Sequence, residues 1–224
     1  YNMGDRLVTS TRYMEVIMEI STKDRILNEA LIMFAENGYR GTNLRDLAAQ
    51  LGLSKSALYK HYDSKEAIWN ALLDKMEAYY AARFGSMSNL PPTPRSSEDL
   101  VALTMRLIGF TIRDPQIQLT RKLLLTEQFH DARVCKLATK HFLEGLANMF
   151  AVMFGQMMQN GLLKQSDPAM LAFAFTSPIT SLVHLYTREP DREAEVMERI
   201  EKFVRYFIAI NQQDHEIHAG ELLL

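Results

Sequence analysis

Residues 54–62, with the sequence SKSALYKHY, concentrate side chains that can donate hydrogen bonds. Lysine can donate to guanine O6 and N7, whereas hydroxyl groups and backbone N–H groups hold phosphates. On a helix, Leu58 and Tyr62 share one face because they are four residues apart. The other side then carries Lys55, Ser56, Tyr59 and Lys60. This pattern is typical of a helix that rests on a core and presents its opposite side to nucleic acid.

Two further helices are predicted to hold this run in place. Ser21-Thr22-Lys23-Asp24 is a capping pattern, and Asn37-Gly38 supplies a stop for the first helix. A second helix begins after Thr42 or Asn43, and the three residues Gly52-Leu53-Ser54 separate it from a short third helix, Lys55 to about Tyr62. Two helices joined by such a turn, with another ahead, form a helix-turn-helix.

The rest of the chain also predicts helices, so the fold class is all-α. Only 10 Gly and 7 Pro occur in 224 residues, and no alternating apolar pattern indicates a strand. Asp63-Ser64-Lys65-Glu66 begins a long helix, and a Pro-containing loop follows it over 85–97. Five more helical segments are predicted at 97–113, 115–129, 131–160, 168–188 and 190–212.

Composition narrows the class of protein. The chain has 25 basic and 27 acidic residues, a net charge of −2, which argues against a protein coated in basic charge, such as a ribosomal or histone-like one. Residues 40–65 nevertheless hold five basic and two acidic residues, a local +3, and the remainder carries −5. Cys135 is the only cysteine and is expected to be buried. With no apolar run of membrane-spanning length and no secretory pattern, a soluble, cytoplasmic protein without membrane contact is expected.

The helix-turn-helix region resembles the TetR family of bacterial transcriptional regulators. The resemblance covers about 21–70 and rests on Gly38–Thr42, Leu47-Ala48, Leu51–Ser54 and Leu58–Glu66. Tyr62 stands where members usually have Phe. The resemblance implies a DNA-binding domain joined by a connecting helix to a larger helical ligand-binding and dimerisation domain. The domains are then 1–20 extension, 21–66 DNA-binding, 67–85 connecting helix, 86–96 loop, 97–212 effector and dimerisation, and 213–224 tail.

The resemblance also implies roles for single residues. Base edges would be read by Lys55, Ser56, Ala57 and Lys60. Phosphates would be held, through side chains or nearby backbone N–H groups, at Thr42, Ser54, Tyr59, His61 and Lys65. His61 could instead only pack against the long helix, and Arg45 could be solvated as readily as it touches DNA.

The last two helices carry apolar stripes that predict either a dimer interface or intrachain core. A helix-turn-helix monomer covers one half-site, so a two-fold homodimer is expected. The residues assigned to the interface are Phe175, Ile179, Leu182, Tyr186, Val196, Ile200, Phe203, Val204 and Phe207.

Residues 146–158 are apolar on every face, which predicts complete burial. They could be plain core or could line a pocket for a small, largely apolar effector, as the resemblance implies. The candidate lining is Leu107, Phe110, Phe129, Met149, Phe150, Met153, Phe154, Met157, Phe173, Thr176 and His184, with Tyr186 as a further polar group.

Enzymatic patterns are not found in the sequence. It has no Gly-rich phosphate loop and no nucleophile elbow, and His215 and His218 lie in a polar tail without a third ligand. We therefore expect no catalytic residues, metal or cofactor. The partners expected are operator DNA, a second copy of the chain and an effector. An alternative is a DNA-bound scaffold whose C-terminal half binds a protein instead of a small molecule.

Overall fold

The computed structural model describes residues 21–84 and 90–213. It divides the chain into two compact units, one ending at Ala78 and the other beginning at Tyr79. That boundary lies inside the helix Lys65–Phe84, the predicted connecting helix. The predictions for 1–20 and for the histidines of the tail lie outside the described residues.

The N-terminal unit contains four helical segments. They are α1 (Thr22–Gly41), α2 (Leu44–Gln50), α3 (Lys55–Tyr59) and the first part of α4 (Lys65–Phe84). The Ser21 side chain accepts from the N–H of Asp24, which confirms the predicted cap. Gly38 has φ 71° and breaks the helical backbone near the end of α1, as the Asn-Gly pair predicted.

Apolar residues at helical spacing form the core of this unit. On α1 the buried set is Ile26, Leu27, Ala30, Leu31, Phe34 and Ala35. Leu47 of α2, Leu58 of α3 and Leu73 of α4 are each fully buried. All four helical segments therefore contribute to the apolar core, and the burial of Leu58 fixes the side of α3 that remains exposed.

The C-terminal unit contains helices in all five predicted segments, but the segment predicted as one helix over 131–160 is divided into two. The helices are α5 (Ser97–Arg113), α6 (Pro115–Glu127), α7 (Ala132–Thr139), α8 (Gly145–Gln159), α9 (Pro168–Arg188) and α10 (Glu193–Asn211). Asp114 and Asp167 cap α6 and α9, each followed by Pro at the first helical position. A π-helical turn, Lys140–Glu144, joins α7 to α8. In the described ranges, β pairing is limited to one isolated antiparallel bridge between Leu163 and Gln212.

Helices α8, α9 and α10 supply the aromatic centre of this unit. The ring of Phe175 lies 4.8 Å from Phe150, 5.3 Å from Phe154 and 4.7 Å from Phe207, measured between centroids. By length and a mean hydropathy of 1.3, α9 could also cross a membrane. Seven of its side chains are buried within the unit, however, as in the core helix of a bundle.

The predicted dimer interface is wrong for most of its residues. Seven of the nine are buried inside the single chain, so they cannot form its surface: Phe175, Ile179, Tyr186, Val196, Ile200, Val204 and Phe207. Leu182 and Phe203 are half-buried against the same core. The stripes are intrachain core, because α9 and α10 turn these faces toward α8 and α5. The expectation that Cys135 is buried is also wrong, since its residue is exposed.

Candidate nucleic-acid interface

The short helix α3 is held at both ends by local hydrogen bonds. At its start, the Ser54 hydroxyl accepts from the N–H of Ala57 at 3.1 Å. At its end, the N–H groups of His61 and Tyr62 both donate to the carbonyl of Leu58. The helix ends at Tyr59, earlier than predicted, and Lys60 is its C-cap with αR backbone angles. Leu58 anchors the inner side with no exposed surface.

The turn between α2 and α3 depends on Gly52. Its φ is +66°, a left-handed conformation that non-glycine residues rarely adopt. The N–H of Gly52 donates to the carbonyl of Ala49 at 3.0 Å, and that of Leu53 donates to Ala48 at 2.8 Å. The glycine in the three-residue turn thus sets the direction in which α3 leaves α2.

The structure brings the predicted base-reading residues together on one exposed surface. Lys55, Ser56 and Lys60 are exposed, and Ala57 is half-buried beside them. The Lys55 ammonium lies over the ring of Tyr59, 5.7 Å from its centroid. We call Lys55, Ser56, Ala57 and Lys60 the recognition surface.

The predicted phosphate-holding residues differ in their exposure. Ser54 and Tyr59 are exposed, and His61 and Lys65 are half-buried. Thr42 is buried, with 2% of its surface exposed. Its hydroxyl faces the carbonyls of Met33 and Gly38 at 3.1 and 3.0 Å, so it joins α1 to the start of α2. A phosphate contact through the Thr42 side chain is therefore contradicted.

Lys65 is positioned by an aromatic group that the sequence reading did not connect with it. Its ammonium lies 4.4 Å from the centroid of the Tyr39 ring, close enough for a cation–π interaction. Tyr39 in turn contacts Trp69 at 4.9 Å, and Trp69 contacts Phe34 at 5.1 Å. One indication of this contact was present in the sequence: Tyr39 lies near the end of α1, and Trp69 lies near the start of α4.

An ion pair joins the first and fourth helices of the unit. The Lys75 ammonium donates to the Asp24 carboxylate at 2.8 Å and to the side-chain oxygen of Asn28 at 3.0 Å. Hydrogen bonds from Lys75 and from Ser21, in that order, lower the pKa of Asp24. Burial, with a smaller contribution from the Asp24 charge, raises the pKa of Tyr62, which lies beneath the Lys23 ammonium. Tyr62 therefore remains a neutral phenol at neutral pH.

The predicted effector-lining residues do not form one group. Met149, Phe150, Met153, Phe154 and Met157 are buried in the core. Leu107, Phe110 and His184 are half-buried, and the hydroxyl of the buried Thr176 donates to the carbonyl of Ala172. Phe129 and Phe173 are 85% and 47% exposed, so neither belongs to the interior of the single chain. Both side chains lie on the outer sides of their segments, which is a correction to the predicted lining.

Two charged residues that the structure buries on α6, Arg121 and Glu127, were missed. Arg121 of α6 has 4% of its surface exposed. Its register was a usable signal, because Ile117 and Leu124 lie four residues before and three after it on the same inward face. Among the described residues, no cluster of three or more His, Cys, Asp or Glu side chains is arranged to hold a metal ion.

A short exposed helix that follows a glycine turn and carries lysines at its start and end, within the N-terminal helical unit, is typical of a helix-turn-helix protein. The model of the family described as "Bacterial regulatory proteins, tetR family" matches residues 26–72. The similarity in sequence to the TetR family therefore lies in the N-terminal unit.

Among curated relatives, the chain is 38% identical over 58 residues to IcaR of Staphylococcus epidermidis, the negative transcriptional regulator of the biofilm operon icaADBC. The match covers 26% of this chain and 31% of IcaR. IcaR of Staphylococcus aureus strain Newman is 45% identical over 47 residues, or 21% of this chain and 25% of that protein. The chain thus matches less than a third of the length of these relatives.

Solved structures extend the likeness in fold to most of the chain. SmeT, the repressor of the Stenotrophomonas maltophilia multidrug efflux pump SmeDEF, has a TM-score of 0.61 at 17% identity. The match covers 91% of this chain and 96% of SmeT. A complex of SmeT with triclosan gives a TM-score of 0.66 at 18% identity, covering 87% and 93%. At this identity the likeness describes the fold of the larger unit and not its ligand.

Proposed function

We propose that the protein is a sequence-specific DNA-binding transcriptional regulator that reads DNA with α3. The observation that carries the proposal is the recognition surface: exposed donors on a short helix that is anchored by buried Leu58. Lys55, Ser56 and Lys60 stand on the side away from the core, where the floor of a major groove would lie. A regulator of this kind acts in the cytoplasm, where the DNA of a bacterium lies.

The proposed contacts with DNA are of two kinds, to bases and to phosphates. Lys55 and Lys60 read bases, because ammonium groups can donate to guanine O6 and N7, and Ser56 and Ala57 contact the groove beside them. Ser54, Tyr59, His61 and Lys65 hold phosphates, which fix register without reading sequence. Thr42 supports this surface from within, since its hydroxyl is bonded to backbone carbonyls.

A homodimer presents two such helices to DNA. An exposed apolar patch on α9 and α10 supports this assembly: Met170, Phe173, Tyr206 and Ile210 are between 47% and 63% exposed. Phe175 contacts both Phe203 and Phe207, so the first half of α9 lies beside the second half of α10. The four exposed residues belong to those two halves, and we call them the dimer patch. Large exposed apolar side chains on adjacent helices favour contact with a second copy.

The regulator acts as a repressor that a small effector releases. IcaR is a negative regulator, and SmeT is a repressor with a triclosan complex, which supports this choice. An effector bound in the C-terminal unit would favour one conformation of the dimer over another. A difference in affinity of about 1–3 kcal/mol between the two conformations is enough to change DNA binding 5- to 150-fold.

Selection of bound DNA from a random pool tests the proposal. We expect enrichment of an inverted repeat, because two symmetry-related recognition helices contact two half-sites. The half-site centres should lie about 10 base pairs, or a multiple of one helical turn, apart. A pool that shows no enrichment over the input after repeated rounds would contradict sequence-specific binding.

A further inference from the structure

The C-terminal unit contains a buried arginine whose hydrogen-bonding capacity is only partly used. Arg121 Nε donates to the Thr187 hydroxyl at 2.6 Å, and Nη1 donates to the carbonyl of Thr111 at 3.0 Å. Nη2 is inaccessible and has no hydrogen-bond partner. One nitrogen of a permanently charged group is therefore buried without an acceptor.

Among the described residues, the groups that interact with Arg121 provide dipoles but no opposite charge. Its partners in the described part of the chain are one hydroxyl and one carbonyl, and the nearby ionisable groups are Tyr80 and Tyr186. Burial raises the pKa of Tyr80 to about 12, against the opposing effect of the Arg121 charge. Tyr80 is therefore neutral at neutral pH and does not balance the guanidinium.

His184 adds a second buried nitrogen on the same side of α9 as Thr187. Its Nε2 is buried and has no hydrogen-bond partner. Burial, then the charges of Arg121 and Arg188, lowers its pKa, so the imidazole is neutral at neutral pH. The positive charges of Arg121 and Arg188 disfavour the protonated form of His184. The same charges favour a bound anion. The side chain is half-buried, which places one edge of this cluster near the surface of the unit.

The π-helical turn holds the histidine in place. The ring of Phe142, within that turn, meets the His184 ring edge-on at 4.8 Å. The Thr180 hydroxyl donates to the Phe142 carbonyl at 3.4 Å, so the turn is also bonded to α9. Single π-turns inside helices occur frequently at functional sites. Arg121 is bonded to Thr187, and His184 lies three residues before Thr187 on α9; we call these three residues the buried polar cluster.

A buried guanidinium without an acid partner is costly, and a ligand can supply the missing charge. We propose that the buried polar cluster binds the carboxylate of a small organic acid, with Arg121 Nη2 donating to the carboxylate and His184 providing a second contact. The apolar side chains around α6 and α9 then contact the rest of the ligand. This inference rests on the proposed function, because it assigns the effector's chemical class.

Matched pairs of acids and amides test the inference on the full chain without DNA. The probes are sodium acetate, octanoate and phenylacetate, each compared with its neutral amide at constant ionic strength. We expect at least one acid to bind roughly 10- to 100-fold more tightly than its amide, since a charged acceptor strengthens the hydrogen bond. Calorimetric titration gives the affinities, and a rise in Tm with ligand gives an independent readout. If no acid binds more tightly than its amide, the inference is overturned.

Arginine variants show whether the preference depends on this cluster. Arg121→Met should remove the preference for acids, because the guanidinium that donates to the carboxylate is lost. Arg121→Lys keeps the charge and should retain a preference. Arg106→Met, at an exposed position of the same unit, is the matched control and should behave as the unmodified chain. A preference for acids that survives Arg121→Met would show that Arg121 only joins helices, and would overturn the inference.

Measuring DNA affinity separately distinguishes this inference from the proposed function. An acid that binds through Arg121 and weakens operator binding supports both. An acid that binds through Arg121 but leaves operator affinity unchanged supports the site and contradicts its role as an effector site. Operator release by a neutral compound alone, with no acid bound, overturns the site and leaves the regulator intact.

Discussion

Thr42 shows how a residue's role depends on the direction of one hydroxyl group. The resemblance assigned it to phosphate binding, and the residue type fits that chemistry. In the fold its side chain turns inward, between the carbonyls of Met33 and Gly38. Sequence spacing placed Thr42 correctly at the junction of α1 and α2, but it could not distinguish a hydroxyl facing solvent from one that caps the preceding helix.

Thr42→Val should therefore affect stability more than DNA contact. The change keeps the shape but removes the hydroxyl, leaving buried carbonyls without that donor, and should lower the free energy of unfolding by about 1 kcal/mol. Urea denaturation measures the change. Thr126→Val, at an exposed position of α6, should change it by less than about 0.5 kcal/mol. Equal losses in the two variants would contradict the structural role of Thr42.

At the scale of elements, hydrophobic spacing and capping residues predicted most helices. Asp114 and Asp167, each followed by proline, gave accurate helix starts because the cap and the fixed proline φ act locally. The partners of the apolar faces were harder to predict. The apolar stripe that contains Val196 and Ile200 packs against other helices of the same chain. Phe173 and Ile210, by contrast, remain exposed. Periodicity identifies an apolar face, but only tertiary packing decides what covers it.

The buried polar cluster was missed for a related reason. Arg121 occupies an inward position in the register of α6, where a charged residue is unexpected because burying a charge is unfavourable. Its hydrogen-bond partners, Thr187 and Thr111, are distant in sequence. His184 was recognised as a polar candidate, but its proximity to Arg121 depends on how α6 and α9 pack.

The double variant Phe173→Glu and Ile210→Glu tests the dimer patch. Two carboxylates placed in an apolar contact should weaken dimerisation roughly 100-fold or more, because charges would be desolvated at the interface. Folding should be retained, since both positions are exposed in the single chain. Size-exclusion chromatography with light scattering should find a monomer at a concentration where the unmodified protein is a dimer.

Phe129→Glu is the matched control for that experiment. Phe129 is 85% exposed but lies outside α9 and α10, so its replacement should leave the dimer unchanged. A double variant that remains dimeric, or an unmodified chain that is monomeric, would show that the dimer patch is not an interface between copies.

At the scale of the whole molecule, charge is distributed unevenly along the chain. The net −2 combines +3 over residues 40–65 with −5 elsewhere. The recognition surface lies within the basic segment, so phosphate attraction should act mainly there. Binding to any DNA should consequently weaken as salt increases, whereas preference for one sequence should depend on the base-reading side chains.

The most direct test of the account compares Lys60→Ala on selected operator DNA and on random DNA. Loss of a base contact should cost about 1–3 kcal/mol on the operator and much less on random DNA, which lowers the specificity ratio. Lys136→Ala, at an exposed position of the other unit, is the matched control and should change neither affinity. Fluorescence anisotropy at fixed salt measures both affinities. A specificity ratio equal to that of the unmodified protein would contradict base reading by Lys60 and, with it, the proposed role of α3.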